Sequence, residues 1–366
     1  MKNTLSPSNG HYTFNKEKFK KVIDGKNVDL FVLENKHGMQ VAVTNYGCTI
    51  TAIMVPDKEN NFDNIILSYD SLDDLIHGPE PFLSTTIGRY GNRIAKGKFY
   101  LNNKGYNLAT NNGPNHLHGG PTGFHTKVWD YHQVSDQKIV FTYKSKDGEE
   151  GFPGNLKIEM IYELLNDSNS ITFEYKATTD APTLVNLTNH GFFNLAGTAN
   201  PTPSIEDNKV LINANYYIPI DETSIPTGEI HKVENTPFDF RIPYNIGDRI
   251  NDKHEQLIRG AGYDHCFVLN KKERNELSFA ASCFDPKSGR KMDVFTTELG
   301  VQLYTGNWLG GFTGANGATF PERSAICFEA QNFPDSPNQT HFPSPVLNPG
   351  ETYYQKSIYT FTVEKN

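Results

Sequence analysis

Hydrophobic and polar residues alternate along much of this chain with a period of two, the spacing that turns one face of a β-strand to a core and the other to solvent. Segments 157–165 and 171–177 carry the pattern and are joined by the turn-forming run Asn166-Asp167-Ser168-Asn169-Ser170. Segments 28–33 and 39–44 flank Asn35-Lys36-His37-Gly38, which predicts a hairpin, and Asn45-Tyr46-Gly47 then turns the chain into a short apolar strand over 48–55. Further strands are expected over 210–220, 263–269, 292–304 and 351–363. Helix signals are few. Ser71-Leu72-Asp73-Asp74 opens like a capping box and predicts one or two helical turns over 71–76, and a second short helix is expected within 246–256.

Two segments depart from simple alternation. Residues 324–330, Ser-Ala-Ile-Cys-Phe-Glu-Ala, form an apolar run whose single charge is Glu329. A run apolar on both faces predicts a buried strand, and a buried carboxylate is costly unless it has partners or a raised pKa, so Glu329 is a functional candidate. Residues 183–195, read as one strand, place Asn186, Thr188 and His190 on one face against Val185 and Leu187 on the other. Such a polar row suits a groove that hydrogen-bonds a polyhydroxylated ligand, with His190 able to move a proton near neutrality. A core histidine with satisfied hydrogen bonds is the competing reading.

Composition agrees with an all-β chain. Aromatics are 12% of the 366 residues, and 30 Gly with 21 Pro leave little room for long helices. The length suits one large unit, with residues 1–24 a polar lead-in and 25–364 a single domain. A net charge of −8 gives no electrostatic reason to expect nucleic acid or an anionic membrane as partner. Cys48, Cys266, Cys283 and Cys327 are scattered, without a zinc-knuckle or disulfide spacing, and suit a reducing compartment. No apolar stretch approaches the roughly 18 residues of a bilayer span, so no membrane partner is expected. The cytoplasm is the expected location, with a secreted or periplasmic form left open if a signal segment precedes the sequence in hand.

Three further segments carry candidate chemistry. Residues 87–98 invite comparison with a phosphate-binding loop, but five residues separate Gly91 from Gly97 and Phe99 follows Lys98, which excludes it. They read instead as an irregular loop presenting a guanidinium, or as a solvated basic turn. His116 and His118 would share one face of a strand and could chelate a metal, but Gly119 and Gly120 follow where a third ligand would be needed, so a ligand-facing loop with one binding and one supporting histidine is expected. Asp264 opens a strand as either ligand or cap, and Gln302 with Tyr304 offers an amide and a hydroxyl on one face.

Taken together, these segments resemble the aldose 1-epimerase, or galactose mutarotase, family over roughly 25–364. The resemblance rests on Gly88-Arg89-Tyr90-Gly91-Asn92-Arg93-Ile94, on Asn115 through Gly120, on Asn189-His190-Gly191-Phe192-Phe193-Asn194-Leu195, on Tyr263-Asp264-His265, on Gly300 through Asn307 and on Glu329-Ala330-Gln331-Asn332-Phe333-Pro334-Asp335, in that order. It implies a large twisted antiparallel β-sandwich, a galactose mutarotase-like supersandwich with few short helices, that binds its sugar in a cleft across one sheet. It also implies Glu329 as general base, His190 as general acid, and Asn92, Arg93, His118, Asp264 and Gln302 as sugar ligands, with no cofactor and no metal. A free aldohexose such as galactose or glucose is then the expected partner, and a monomer or weak dimer the expected state. Leu299 and Tyr90 depart from the family pattern and bear on substrate preference. A hexose-phosphate 1-epimerase, a glycoside hydrolase using Glu329 with Asp264, and a non-catalytic carbohydrate-binding sandwich are the rivals. For an acting pair, a bell-shaped pH profile is expected, its acid limb from the carboxylate and its alkaline limb from an imidazole held protonated by that carboxylate.

Overall fold

In the computed structural model, which describes residues 12–199 and 201–364, the alternating segments pair antiparallel in three main sheets. The largest has nine strands in the order Asp130–Ser135, Lys138–Ser145, Leu156–Leu164, Ser170–Thr179, Tyr353–Val363, Arg290–Thr296, Ser278–Phe284, Lys209–Ile212 and Tyr244–Asn245. Its alternation is literal in Leu156–Leu164, where Leu156, Ile158, Met160, Tyr162 and Leu164 are buried while Lys157 and Glu159 are exposed. The last strand of the chain lies near the middle of this sheet, between Ser170–Thr179 and Arg290–Thr296.

A five-stranded sheet follows the order His231–Lys232, Ala214–Tyr217, Asp264–Leu269, Gly300–Tyr304 and Cys327–Gln331. Every residue of the last two strands is buried, which accounts for the apolar run read in the sequence. A four-stranded sheet, Leu30–Glu34, Gln40–Thr44, Ile50–Pro56 and Phe62–Asn64, contains the expected hairpin, with Glu34 opposite Gln40. One cluster of buried side chains joins all three sheets, drawing Phe31 and Val41 from the four-stranded sheet, Met160, Phe173 and Tyr359 from the nine-stranded one, and Phe267, Val301 and Phe328 from the five-stranded one. The fold class is therefore the all-β sandwich expected.

Among the described residues two short α-helices interrupt the strands. Leu72–His77 starts at Ser71, whose side chain accepts the Asp74 amide hydrogen at 3.1 Å. The second lies at Glu255–Arg259, later than the expected 246–256, because residues 246–252 form turns and His254 supplies the cap. No helix among the described residues is long and apolar enough to cross a membrane. All four cysteines are buried and unpaired.

Candidate active site

Strand register assembles half of the site. Glu329 lies opposite Gln302, Gln302 opposite Cys266, and Asp264 opposite Tyr304, so three neighbouring strands turn a carboxylate, an amide and a second carboxylate to one region. Gln302 Nε2 donates to Asp264 Oδ1 at 2.7 Å. Arg93 Nη1 lies 3.5 Å from Asp264 Oδ2, and Arg93 Nε donates to Asn112 Oδ1 at 2.9 Å.

Arg93 belongs to a two-residue strand, Arg93–Ile94, paired with His116–Leu117. This pairing brings His118 beside Asn92 in a mutual clasp: the Asn92 amide donates to His118 Nδ1, and the His118 amide donates to the Asn92 carbonyl, both at 3.1 Å. The backbone turns left-handed at His118, at φ 52°, so the two histidine rings diverge instead of sharing a face. His116 Nδ1 meets the Ala109 carbonyl at 2.8 Å, while the His118 ring lies edge-on to His190 with centroids 5.1 Å apart. The glycines that follow serve a backbone contact. A Cβ on Gly119, at φ 83°, would lie 1.9 Å from the Gly88 carbonyl oxygen.

Residues 183–195 are not one strand. They pair briefly at Thr183–Leu184 and Thr188–Asn189 and bridge elsewhere through Asn186 and Phe193, and every residue of the segment is buried. Asn186 accordingly does not front a groove: its Nδ2 donates to the Gly91 carbonyl and its Oδ1 accepts the Asn332 amide hydrogen. His190 does reach the site. Its amide donates to the Thr85 carbonyl at 2.9 Å, its ring stacks on Phe192 at 4.8 Å, and its Nε2 lies 3.5 Å from Glu329 Oε1.

Asn92, Arg93, His118, His190, Asp264 and Glu329 all border one cavity of about 300 Å³, and Gln302 stands behind Asp264. Glu80, Phe82, Asn112, Phe192 and Trp308 border it too, unread in the sequence because they sit in turns or apolar contexts with no local signal of a ligand. Larger grooves, of about 500 Å³ over the nine-stranded sheet and about 580 Å³ beneath residues 12–19, carry no imidazole, and a third of about 500 Å³ holds His231 and His254 but none of the residues singled out in the sequence. Arg89 is not part of the cavity. It is 2% exposed and tied to Ser145 Oγ and to the carbonyls of Pro153 and Lys146. Neither Tyr90, whose hydroxyl donates to the Phe333 carbonyl, nor Leu299, packed near Cys266 and Phe333, borders the cavity.

Burial governs the charges. It holds the Glu329 carboxyl well above the usual carboxylate range, with nearby Asp264 adding to the effect and Arg93 opposing it. It pulls His190 down to about 4 and His118 well below the ordinary imidazole value. The expectation of an imidazole kept protonated by the carboxylate therefore gives way to desolvation, which favours the pair's proton on Glu329. Glu329 Oε2, His190 Nδ1 and Gln302 Oε1 are buried with no hydrogen-bond partner among the described residues.

Side-chain ligand atoms of His118, His190 and Glu329 lie within 4.8 Å of one another, a spacing that invites a divalent ion. The donor set does not fit. His118 Nδ1 accepts the Asn92 amide hydrogen, so the neutral ring carries its own proton on Nε2, and a protonated ring nitrogen cannot ligate a metal.

The chain matches the family model described as aldose 1-epimerase over residues 29–360. It is 42% identical over 337 residues to the galactose mutarotase of Bos taurus, covering 92% of this chain and 94% of that one. It is 34% identical over 344 residues to the aldose 1-epimerase of Escherichia coli K12, covering 93% and 97%. A solved aldose epimerase homologue from C. elegans superposes with a TM-score of 0.85 at 29% identity, over 92% of this chain and all of that one. The galactose 1-epimerase of Lactobacillus acidophilus gives a TM-score of 0.81 at 30% identity, over 94% and 97%. With the family model spanning most of its length and relatives this similar over nearly their whole length, the chain belongs to the aldose 1-epimerase family.

Proposed function

We propose that this protein is an isomerase that interconverts the α and β anomers of free aldohexoses such as galactose and glucose, with Glu329 as general base and His190 as general acid. The observation that carries the reading is the 3.5 Å approach of His190 Nε2 to Glu329 Oε1 at a cavity of about 300 Å³. The oxygen that loses a proton and the oxygen that gains one are attached to the same carbon, so base and acid must stand close together. Glu329 takes the anomeric hydroxyl proton, the bond from C1 to the ring oxygen breaks, and the electron pair left on the ring oxygen takes the proton of His190. The aldehyde rotates about C1–C2 and recloses with both transfers reversed. The pair's proton count is unchanged, so no other reactant is needed. Sugar hydroxyls supply the hydrogen bonds that burial denies both groups, which lets the proton rest on the imidazole when the pyranose is bound.

The rivals fit less well. A glycoside hydrolase needs two carboxylates flanking a bond, whereas Asp264 is engaged by Gln302 and Arg93 and the group facing Glu329 is an imidazole. A phosphosugar needs cations, yet the carboxyl groups of Glu80, Asp264 and Glu329 border the cavity against the single guanidinium of Arg93. A binding module has no use for a facing acid and base. Residues 25–364 acting as one unit is supported by the shared core from Phe31 to Phe361, and a cytoplasmic location by the unpaired thiols. A monomer or weak dimer completes the proposal, and sedimentation equilibrium tests it. Polarimetry of freshly dissolved α-galactose and α-glucose tests the activity: the approach to anomeric equilibrium should accelerate in proportion to enzyme, and no acceleration with either sugar would refute the reading.

A further inference from the structure

Glu80 lies in the turn that follows the helix Leu72–His77, far in sequence from the groups assigned to proton transfer, yet it borders the same cavity. Its backbone is fixed. The Glu80 amide donates to Tyr69 Oη at 2.9 Å, and that hydroxyl donates back to the Glu80 carbonyl at 3.2 Å. The turn is also bound to the two histidines of the site: the Phe82 ring packs on His118 with centroids 4.7 Å apart, and the Ser84 amide donates to the His190 carbonyl at 3.1 Å. This segment is therefore a built wall, held by the groups it faces.

The carboxylate on that wall is under-used. Glu80 Oε1 accepts the Phe82 amide hydrogen at 3.1 Å, and among the described residues no further donor and no cation pairs with the side chain. Burial pushes it up to about 7, the direction expected of a carboxylate without enough partners. Carboxylates accept strongly from hydroxyls, and a ligand rich in hydroxyls would occupy this cavity on the reading above.

Resting on that reading, we infer that Glu80 accepts a hydrogen bond from a hydroxyl of the bound aldose and helps decide which aldose is taken. With Asp264 and Glu329 it brings three carboxyl groups to the cavity border against the positive charge of Arg93, which disfavours a phosphorylated sugar there.

The test compares the parent with Glu80→Gln and Glu80→Asp on galactose and its 2-, 3-, 4- and 6-deoxy analogues, each followed by polarimetry. In the parent, one analogue should lose about tenfold or more in kcat/KM, the scale of a hydrogen bond to a charged group. In Glu80→Gln, galactose itself should lose a comparable factor, mainly through KM, and that analogue should lose less than about threefold further, because the contact is already weakened. Glu80→Asp, with the charge kept but withdrawn by one methylene, should fall between. Near-UV circular dichroism checks that each variant is folded. Penalties for all four analogues that carry over unchanged into both variants would overturn the assignment. A parent that does not accelerate galactose mutarotation would instead remove the epimerase reading, and the Glu80 assignment with it, before any variant is compared.

Discussion

His190 Nε2 and Glu329 Oε1 approach to 3.5 Å with side-chain exposures of 8% and 3%, so the pair carries two charges only at the cost of desolvating both, a cost that Arg93 offsets in part at Glu329. A single proton between them is the state that burial favours. Because the two groups titrate together, their apparent pKa values belong to the pair.

The pH profile follows from the directions of the two shifts. His190, lowered to about 4, gains a second proton for the pair only in acid, and Glu329, raised, gives up the pair's proton only well above the usual carboxylate range. The acid limb of kcat/KM thus belongs mainly to the imidazole and the alkaline limb mainly to the carboxyl, the reverse of the assignment expected from the sequence. Carbon-13 NMR of the Glu329 carboxyl in the sugar-free protein should report the protonated form at a pH where an exposed carboxyl is already ionised, and an ionised carboxyl there would contradict this order.

Glu329→Gln keeps shape and hydrogen-bonding capacity but cannot accept the proton, so kcat for galactose should fall at least about a hundredfold with the fold intact. His190→Asn should be similarly disabled. Turnover of a folded Glu329→Gln within about threefold of the parent rate would remove Glu329 from the mechanism.

Asp264 is held by Gln302 at 2.7 Å and Arg93 at 3.5 Å, and the proposed function assigns it to gripping the sugar. Asp264→Asn or Arg93→Ala should act chiefly on KM, and Gln302→Leu, which frees Asp264 indirectly, should raise KM by roughly three- to tenfold, the range of one neutral hydrogen bond. Loss of kcat in Asp264→Asn at unchanged KM would make Asp264 a proton-transfer group.

Activity should survive dialysis against a strong chelator, since the His118 tautomer set by Asn92 keeps a hydrogen on the nitrogen a metal would need. A loss restored by a divalent ion would show that this clasp opens in solution.

Gly119→Ala should destabilise the fold by more than about 1 kcal/mol, because alanine is disfavoured at φ 83° and its Cβ would overlap the Gly88 carbonyl. Urea unfolding monitored by fluorescence checks this, and a midpoint equal to the parent's would mean that the turn relaxes at little cost.

The strands were legible because their signal is local. A period of two reports a half-buried strand whatever it pairs with, as in 157–165, and an apolar run holding one carboxylate marks a costly charge, as at Glu329. Turn residues at 35–38 and the Ser71 cap announced themselves in the same way. The resemblance to a family then brought seven polar residues into one expectation, and six of them border one cavity with Gln302 just behind.

What the residues by themselves determined was therefore the class of fold and the identity of the polar groups. Only the tertiary structure decided what each group is for. Arg89 and Arg93 are four residues apart and look alike in the text, yet partners 56 or more residues away consume Arg89, while the short pairing with His116–Leu117 carries Arg93 to the cavity. Asn186 and His190 were read on one face, but bridges to Tyr90 and Thr85 bend the segment and separate them. Glu80 had no local signal at all. The location of the proton on the pair was likewise invisible, because desolvation is a property of everything packed around a group, and that packing comes from residues hundreds of positions apart.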